Sequence, residues 1–228
     1  MIDFNNLITR YLKRASRQKQ IGRYYPSEAG GCMRKMWFSY LLPRETEAGL
    51  IKVFEVGNML HEFVVKVLQS EKNPEVELID SELPLKLEIN GVLLSGRIDD
   101  VVLIKLSGKK VLVEVKSTGF LRYVEEPSEA NVMQLQLYMR MSGIKDGIIL
   151  YVEKNTLQSR WFNIEYSEKE AERAIKRLNL LHESLIKKSM PEAEAKTDKK
   201  KEWMCRGCPY RDECERGRIE VQKPLNIT

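Results

Sequence analysis

The sequence has few of the features that assign a protein to a class at once. Its 228 residues include only four cysteines and two histidines. No apolar run approaches the roughly 20 residues that a membrane-spanning helix needs. The N-terminal segment 1–20 reads as a basic helix and lacks the apolar core of a secretory signal. We therefore expect an intracellular, cytoplasmic protein with no membrane partner.

Nucleotide-binding signatures and internal repeats are also missing. There is no G-x-G-x-x-G and no Walker loop, which argues against a Rossmann fold. The chain is 43% apolar and 31% charged, proportions typical of a globular domain with a hydrophobic core. Its net charge of +5 permits an acidic partner such as nucleic acid without requiring one.

Hydrophobic periodicity predicts helices and strands that alternate along the chain. The predicted helices are 3–19, 33–42, 52–70, 128–142 and 168–188. The predicted strands are 76–89, 91–106, 109–117, 147–154 and 160–166. This order predicts an α/β fold with a mixed sheet flanked by helices. We divide the chain into a basic helical region with the first cysteine (1–51), a core (52–190), and a charged linker with a cysteine-rich segment (191–228).

A carboxylate on one predicted strand faces a Glu-x-Lys on the next. If Ser107-Gly108 is a two-residue turn, Asp99 lies opposite Lys116 and Glu114 lies opposite Val101. Side chains alternate along a strand, so Asp99, Glu114 and Lys116 then share one face. Two carboxylates beside a lysine suit Mg²⁺ or Mn²⁺, with the metal activating a water and the lysine stabilising the transition state. The alternative is a set of charged strand ends on a solvated sheet.

Two further positions could belong to such a site. His61 lies one helical turn after Gly57, whose missing side chain lets a ligand or strand approach; it is either a metal ligand or an inert, hydrogen-bonded histidine. Gln134 and Tyr138 share a helix face and could contact a phosphate or hold the lysine, or they form an ordinary polar stripe. We interpret His182 as structural.

The cysteines form the more specific pattern. Cys205, Cys208 and Cys214 follow a C-x2-C-x5-C spacing, and Cys32 lies far upstream. Four thiolates suffice for tetrahedral zinc or an iron–sulfur cluster, and ligand identity alone does not separate the two. A shared metal would join the two ends of the chain, in a structural or a redox role.

Together these residues resemble the PD-(D/E)xK nuclease superfamily, and within it the RecB-like iron–sulfur exonucleases, a group that includes the CRISPR-associated fourth Cas protein. The resemblance runs from about residue 21 to 217, with the elements in family order. They are Cys32 with Arg34, Gly57 with His61, G-R-I-D (96–99), E-V-K (114–116), Q-L-Q-L-Y (134–138) and the cysteine triad. Met33 is a departure, because relatives often have Pro after the first cysteine.

The resemblance implies a restriction-endonuclease-like core and a Mg²⁺- or Mn²⁺-dependent nuclease acting on DNA, chiefly on single strands. It implies metal ligation by His61, Asp99, Glu114 and the Val115 carbonyl, with Lys116 as the catalytic lysine. Gln134 and Tyr138 would assist substrate binding. The four cysteines, Cys32, Cys205, Cys208 and Cys214, would hold a cluster, usually [4Fe–4S], as a staple.

We therefore expect a DNA exonuclease, with a possible role in preparing DNA for a CRISPR integrase complex or in a virus or mobile element. One alternative is an adaptor that recognises DNA ends or short motifs for an integrase and cuts little itself. Another is a redox sensor in which the cluster is the working part. Arg10, Lys13, Arg14 and Arg17, with Arg34 and Lys35, could line the strand's path or form a solvated face.

Overall fold

The computed structural model describes residues 2–13 and 18–217. Its α-helices are α1 (Phe4–Leu12), α2 (Met33–Leu41), α3 (Ala48–Leu68), α4 (Glu129–Ser142), α5 (Glu168–Ile186), α6 (Glu194–Thr197) and α7 (Arg211–Arg216). Its strands are β1 (Arg23–Tyr24), β2 (Val76–Ile89), β3 (Val92–Ile104), β4 (Lys109–Thr118), β5 (Asp146–Glu153) and β6 (Ser159–Glu165). Within the described ranges, no helix has the length and apolar character that crossing a membrane requires.

The strands form one mixed sheet in the order β1-β3-β4-β5-β6, with β2 paired to β3. The β1–β3 and β4–β5 pairs are parallel, and the β2–β3, β3–β4 and β5–β6 pairs are antiparallel. Because β2 pairs with β3 along most of its length, β1 and β4 share the other edge of β3 near its two ends. The predicted mixed sheet with flanking helices is confirmed; the division at residues 51 and 190 stays a prediction.

The N-terminal helix is shorter than its sequence pattern suggests. Asp3 caps α1 by accepting a hydrogen bond from the Asn6 N–H, and the helix ends at Leu12 because Lys13 is extended, with ψ at 123°. It buries none of its residues, so packing adds little to the stability of a helix this short. Arg14 and Arg17, expected to continue the helix, lie outside the described residues.

The β2–β3 hairpin has the turn that its sequence predicts. Asn90 and Gly91 connect the two strands with φ values of 51° and 77°. Positive φ at both central residues defines a type I′ turn, whose twist matches that of the flanking strands.

The β3–β4 connection is longer than the two-residue turn we assumed. Ile104 pairs with Lys109, which leaves a four-residue loop. The Gly108 N–H donates to the Ile104 carbonyl, and Leu106, expected in the strand, is 97% exposed. The loop closes around backbone hydrogen bonds and leaves its apolar side chain in solvent.

This loop changes the register of the hairpin. The predicted pairing of Asp99 with Lys116, and of Glu114 with Val101, is wrong, because Val101 pairs with Leu112. The displacement is two residues, and side chains alternate with period two. The predicted sharing of one face therefore survives the wrong register.

Helices cover the two faces of the sheet differently. On one face α4 is buried along most of its length, and Leu135 and Met139 pack against Leu112 and Ile149. On the other face α3 contributes Leu60 and Val64, which pack on a patch that includes Val152. The apolar stripe of α5 is buried as its spacing predicts: Ala171, Ala174, Ile175, Leu178, Leu181 and Leu185.

The segment 192–202, expected to be a charged linker, contains α6 and is anchored to the fold. The Arg177 guanidinium contacts Glu194 through two N–O pairs, at 2.6 and 2.9 Å. The same guanidinium donates to the carbonyls of Ala29 and Gly31, and Glu194 accepts from the Met33 N–H. The ion pair therefore ties α5 and α6 to the loop that carries the first cysteine.

Candidate active site

The candidate site lies where β3 and β4 separate. The two strands pair from Asp100 to Ile104 on β3, and the ladder stops before Asp99. In its place the Val115 N–H donates to the Asp99 Oδ2, at 2.8 Å. The Asp99 carboxylate is thus fixed beside the E-V-K strand by a backbone hydrogen bond.

Lys116, Glu114 and Gln134 form a closed network on the α4 side of the sheet. Lys116 Nζ lies 2.7 Å from Glu114 Oε1 and 3.1 Å from Gln134 Oε1. The Gln134 Nε2 donates to the same Glu114 oxygen at 2.7 Å. The amide therefore accepts from the lysine and donates to the carboxylate, and its position fixes both groups.

Burial makes the carboxyl groups of Glu114 and Asp99 weaker acids than usual. Glu114 is 2% exposed. Burial, and then the neighbouring Asp99 carboxylate, raise the pKa of Glu114 to about 7, although Lys116 and His61 oppose the rise. Burial also raises the pKa of Asp99, opposed by the Val115 N–H and the nearby cations. The site therefore favours any cation that can neutralise two adjacent carboxylates.

His61 contacts a residue that the sequence analysis did not single out. Its Nε2 lies 3.3 Å from the Asp100 Oδ2, and Asp100 is fully buried. This carboxylate raises the pKa of His61, partly opposed by burial; Asp99 raises it further. Strand alternation places Asp100 on the α3 side, where His61 projects from its helix. The G-R-I-D-D doublet facing a helical histidine was the available signal.

Tyr138 and the two glutamines of α4, Gln134 and Gln136, contact different parts of the fold. Tyr138 packs beneath Gly96, where an added Cβ would lie 2.8 Å from the tyrosine hydroxyl. Burial, followed by the Glu114 charge, raises the pKa of Tyr138. Gln136, two residues from Gln134, instead bridges the Glu165 carbonyl and the Ser167 N–H. Gln134 and Tyr138 are thus buried toward the candidate site and do not form an exposed polar stripe.

Several buried polar atoms here have no hydrogen-bond partner among the described residues. They are His61 Nε2, both oxygens of Asp100, and Glu114 Oε2. Unpaired buried oxygens are costly, and hard divalent cations prefer oxygen ligands. Glu114 Oε2, with the Asp99 carboxylate beside Glu114, therefore offers oxygen ligands of the kind that Mg²⁺ and Mn²⁺ prefer. As the side chains stand, however, no three His, Cys, Asp or Glu residues in the described ranges form a group that could hold a metal ion.

The four cysteines lie around one cavity of about 320 Å³. Cys32 is buried, and Cys205, Cys208 and Cys214 are partly buried. Burial raises the pKa of Cys208, and the neighbouring Cys32 and Cys205 raise it further, while Lys35 opposes them. Cysteines from distant parts of the chain thus line one cavity, although, as their side chains stand, no three of them form a group that could hold a metal ion among the described residues.

Arg34 and Lys35, which could line a substrate path or form a solvated face, lie at this cavity. The Arg34 Nε donates to the Pro191 carbonyl, and its Nη1 lies 3.8 Å from Cys214 Sγ. Lys35 lines the cavity itself. Lys13 pairs with Glu45 at 2.9 Å.

His182 has the predicted structural role, with its Nδ1 2.9 Å from the Tyr24 hydroxyl.

Solved structures similar to this chain show the same fold at low sequence identity. The crystal structure of SSO0001 has a TM-score of 0.61 at 18% identity and covers 92% of this chain and 94% of its own. An alkaline exonuclease, LHK-Exo, from Laribacter hongkongensis has a TM-score of 0.51 at 15% identity, covering 74% and 90%. A phage-related exonuclease from Haemophilus somnus 129PT has a TM-score of 0.50 at 12% identity, covering 82% and 99%.

Sequence comparison gives a family. No curated protein matches the chain. The family model of the PD-(D/E)XK nuclease superfamily matches residues 7–215, a range that includes both the candidate site and the four cysteines. The chain therefore belongs to the PD-(D/E)XK nuclease superfamily.

Proposed function

We propose that this protein is a metal-dependent nuclease that hydrolyses DNA phosphodiesters where β3 and β4 separate. One observation carries the proposal. Glu114 is buried beside Asp99 and Lys116, yet its Oε2 has no hydrogen-bond partner among the described residues. A carboxylate in that state is stabilised by a cation, and this pair of carboxylates offers the oxygen ligands that Mg²⁺ and Mn²⁺ prefer.

The residues divide the chemistry among them. Asp99, Glu114, His61 and the Val115 carbonyl would hold the metal, with side-chain adjustment to bring them together. The bound ion would supply a water of lowered pKa and neutralise charge on the phosphate. Lys116 would orient the attacking water or stabilise the pentavalent transition state. Gln134 fixes the side chains of Lys116 and Glu114 by hydrogen bonds to both, and Tyr138 would assist substrate binding.

The mode of cleavage is a finer part of the proposal. Two of the solved structures that share this fold are those of exonucleases, which supports an exonuclease here. We propose single-stranded DNA as the main substrate, and we keep a role in supplying DNA to a CRISPR integrase complex as a hypothesis. An end-recognising adaptor is the alternative if cleavage is absent.

Cleavage of end-labelled DNA tests the central claim. Single- and double-stranded substrates are incubated with Mn²⁺, Mg²⁺ or chelator. We expect metal-dependent cleavage that falls by at least about 100-fold in Asp99→Ala and Lys116→Ala. Asp146→Ala is the matched control, since that aspartate lies at the opposite end of the sheet strands and is partly exposed. A folded wild-type protein that binds DNA and does not cut it would favour the adaptor.

We also propose that Cys32, Cys205, Cys208 and Cys214 ligate an iron–sulfur cluster, of the [4Fe–4S] type. Their arrangement around one cavity supports this, as do the Arg34 and Lys35 cations beside them. Anaerobically purified protein is expected to contain about four irons per chain and to show cluster absorption. Cys208→Ala should lose both. Bound zinc, with no iron, would overturn the cluster assignment.

A further inference from the structure

The loop that follows the E-V-K strand carries two exposed aromatic side chains on either side of an arginine. Phe120 is 50% exposed and Tyr123 is 73% exposed. The Arg122 guanidinium carbon lies 4.8 Å from the Phe120 ring centroid and 4.9 Å from the Tyr123 centroid. The two rings are 6.0 Å apart and nearly perpendicular. The three side chains thus form one compact aromatic–cationic group, the loop 120–123 platform.

The backbone beneath the platform is fixed to the core. Leu121 is buried among the residues packed under α4, and its N–H donates to Glu153 Oε1 at 3.0 Å. Val124 packs against the same cluster, and the Arg160 guanidinium donates to its carbonyl. A rigid loop therefore holds the rings outward, so little conformational entropy is lost when a ligand stacks on them.

The composition of the surroundings indicates which part of a nucleic acid would bind. Glu125 and Glu126 are exposed immediately after the platform. Glu153 is also near, since the Arg122 charge is one of the causes that lower the pKa of its carboxyl. These carboxylates disfavour a phosphate at this place. A base face is uncharged and stacks well on aromatic rings and on a guanidinium plane. A depression of about 500 Å³, lined in part by Phe120, Arg122 and Arg160, lies beside the rings.

The platform is close to the candidate site along the chain. Phe120 is four residues after Lys116, so their Cα atoms are at most about 14 Å apart. Leu121 and Tyr151 belong to one cluster, and Tyr151 is the strand neighbour of Lys116. The platform therefore lies on the α4 side of the sheet, as the Lys116–Glu114–Gln134 network does.

We propose that Phe120, Arg122 and Tyr123 stack unpaired nucleobases of the strand that is cut at Lys116, which would give this nuclease its preference for single strands. The inference rests on the proposed nuclease function and adds the part of the site that distinguishes single-stranded from double-stranded nucleic acid. In a duplex the base faces are already stacked on their neighbours, so the platform has no ligand there. Base faces are common to DNA and RNA, and the ligand proposed is the unpaired base.

Fluorescence anisotropy in chelator tests the platform without cleavage. The probes are a single-stranded DNA, the same strand with abasic sites near its labelled end, a blunt duplex, and an RNA strand of the same sequence. We expect Phe120→Ala and Tyr123→Ala each to weaken binding of the intact strand by about 5- to 100-fold. Abasic sites should weaken wild-type binding and have little further effect on the double variant. The RNA strand tells whether the bases come from DNA alone or from either nucleic acid.

Three controls separate stacking from other effects. Trp161→Ala removes an aromatic that is 61% exposed, on the other face of the sheet, and should change nothing. Tyr123→Trp should keep binding, because it keeps an aromatic face. The dependence of affinity on salt should be the same in Phe120→Ala as in the wild type, since no phosphate contact is lost.

The outcomes distinguish this inference from the function on which it rests. A wild-type protein that cleaves single strands, with ring variants that bind intact and abasic strands as it does, overturns the platform alone. Equal losses for intact strand, abasic strand and duplex would also overturn it, since they indicate a disturbed loop. A folded wild-type protein that neither binds nor cuts any probe removes the nuclease and the platform together.

Discussion

His61 Nε2 and Asp100 Oδ2 are 3.3 Å apart on the α3 side of the sheet, and Asp100 directly follows Asp99 in the sequence. The contact is an ion-pair distance without hydrogen-bond geometry, so both buried oxygens of Asp100 are without a hydrogen-bond partner among the described residues. An unsatisfied carboxylate costs stability, and such costs concentrate where function needs them. Carboxylates that orient a metal-bound histidine through its second ring nitrogen are common, and this geometry fits that role.

Asp100→Asn should therefore separate stability from activity. We expect Mn²⁺ affinity and cleavage to fall by about 10- to 100-fold, because the histidine loses its orienting charge. The free energy of unfolding in chelator should stay level or rise, because a buried charge is removed. Calorimetric Mn²⁺ titration and urea unfolding measure the two quantities. A purely structural Asp100 would give the reverse pattern: reduced stability with normal metal affinity in the folded fraction.

Gln134 and Gln136 make a second matched pair, two residues apart on α4. Gln134→Ala removes the amide that bonds both Lys116 and Glu114, so we expect cleavage to fall by about 10- to 100-fold. Gln136→Ala leaves the Glu165 carbonyl and the Ser167 N–H without this partner, which should cost about 1–3 kcal/mol of unfolding free energy. Single-turnover cleavage and urea unfolding, run on both variants, check this. Equal effects of the two substitutions on cleavage would refute the role given to Gln134.

Patterns that depend on local sequence predicted the fold well. The six buried residues of α5 follow from helical spacing alone, and Asn90-Gly91 determines its turn because both residues tolerate positive φ. These features need no knowledge of what packs nearby. The shared face of Glu114 and Lys116 was predictable for the same reason, since alternation holds along a strand. Asp99 joins them because the error in register was an even number of residues.

The register and the partners of the site were not predictable in this way. Ser107-Gly108 suits a two-residue turn, but the loop has four residues and leaves the apolar Leu106 in solvent. The role of Asp100 follows only from its contact with His61 on α3, a residue far from it in the sequence. The Glu194–Arg177 contact likewise converts an apparently solvated charged run into an anchored segment. The first miss concerns how a local loop closes, and the other two concern contacts with side chains on other elements.

Arg177 offers a test of that anchor. Arg177→Lys keeps a charge but cannot reproduce the paired contact to Glu194 together with the bonds to Ala29 and Gly31. Both partners of the ion pair are partly exposed, so we expect a loss of only about 1–3 kcal/mol in urea unfolding. Lys187→Ala, which breaks an exposed pair with Glu183, should cost no more than about 0.5 kcal/mol. Similar losses in the two variants would contradict the anchoring role.

Glu194 should also make stability depend on pH. Burial raises the pKa of its carboxyl, but the Arg177 hydrogen bond and the Met33 N–H lower it more, so the net shift is downward. A carboxyl with a lowered folded-state pKa contributes stability above its unfolded pKa, near 4.3, and this contribution is lost as pH falls through the folded value. Wild type should therefore exceed Glu194→Gln in unfolding free energy at neutral pH, and the difference should shrink in acid. A difference that is constant from pH 7 to pH 3 would refute this linkage.

The contact between Gly96 and Tyr138 gives the last prediction. An alanine Cβ at position 96 would lie 2.8 Å from the tyrosine hydroxyl and 2.9 Å from the Pro26 Cδ, so Gly96→Ala must displace one of them. We expect a cost of about 1–3 kcal/mol in unfolding free energy, with reduced cleavage because the tyrosine shifts. Gly49→Ala, at a helical position with open space around it, should instead be neutral or stabilising by up to about 1 kcal/mol. If Gly96→Ala is as stable and active as Gly49→Ala, Tyr138 does not need the close approach that the glycine permits.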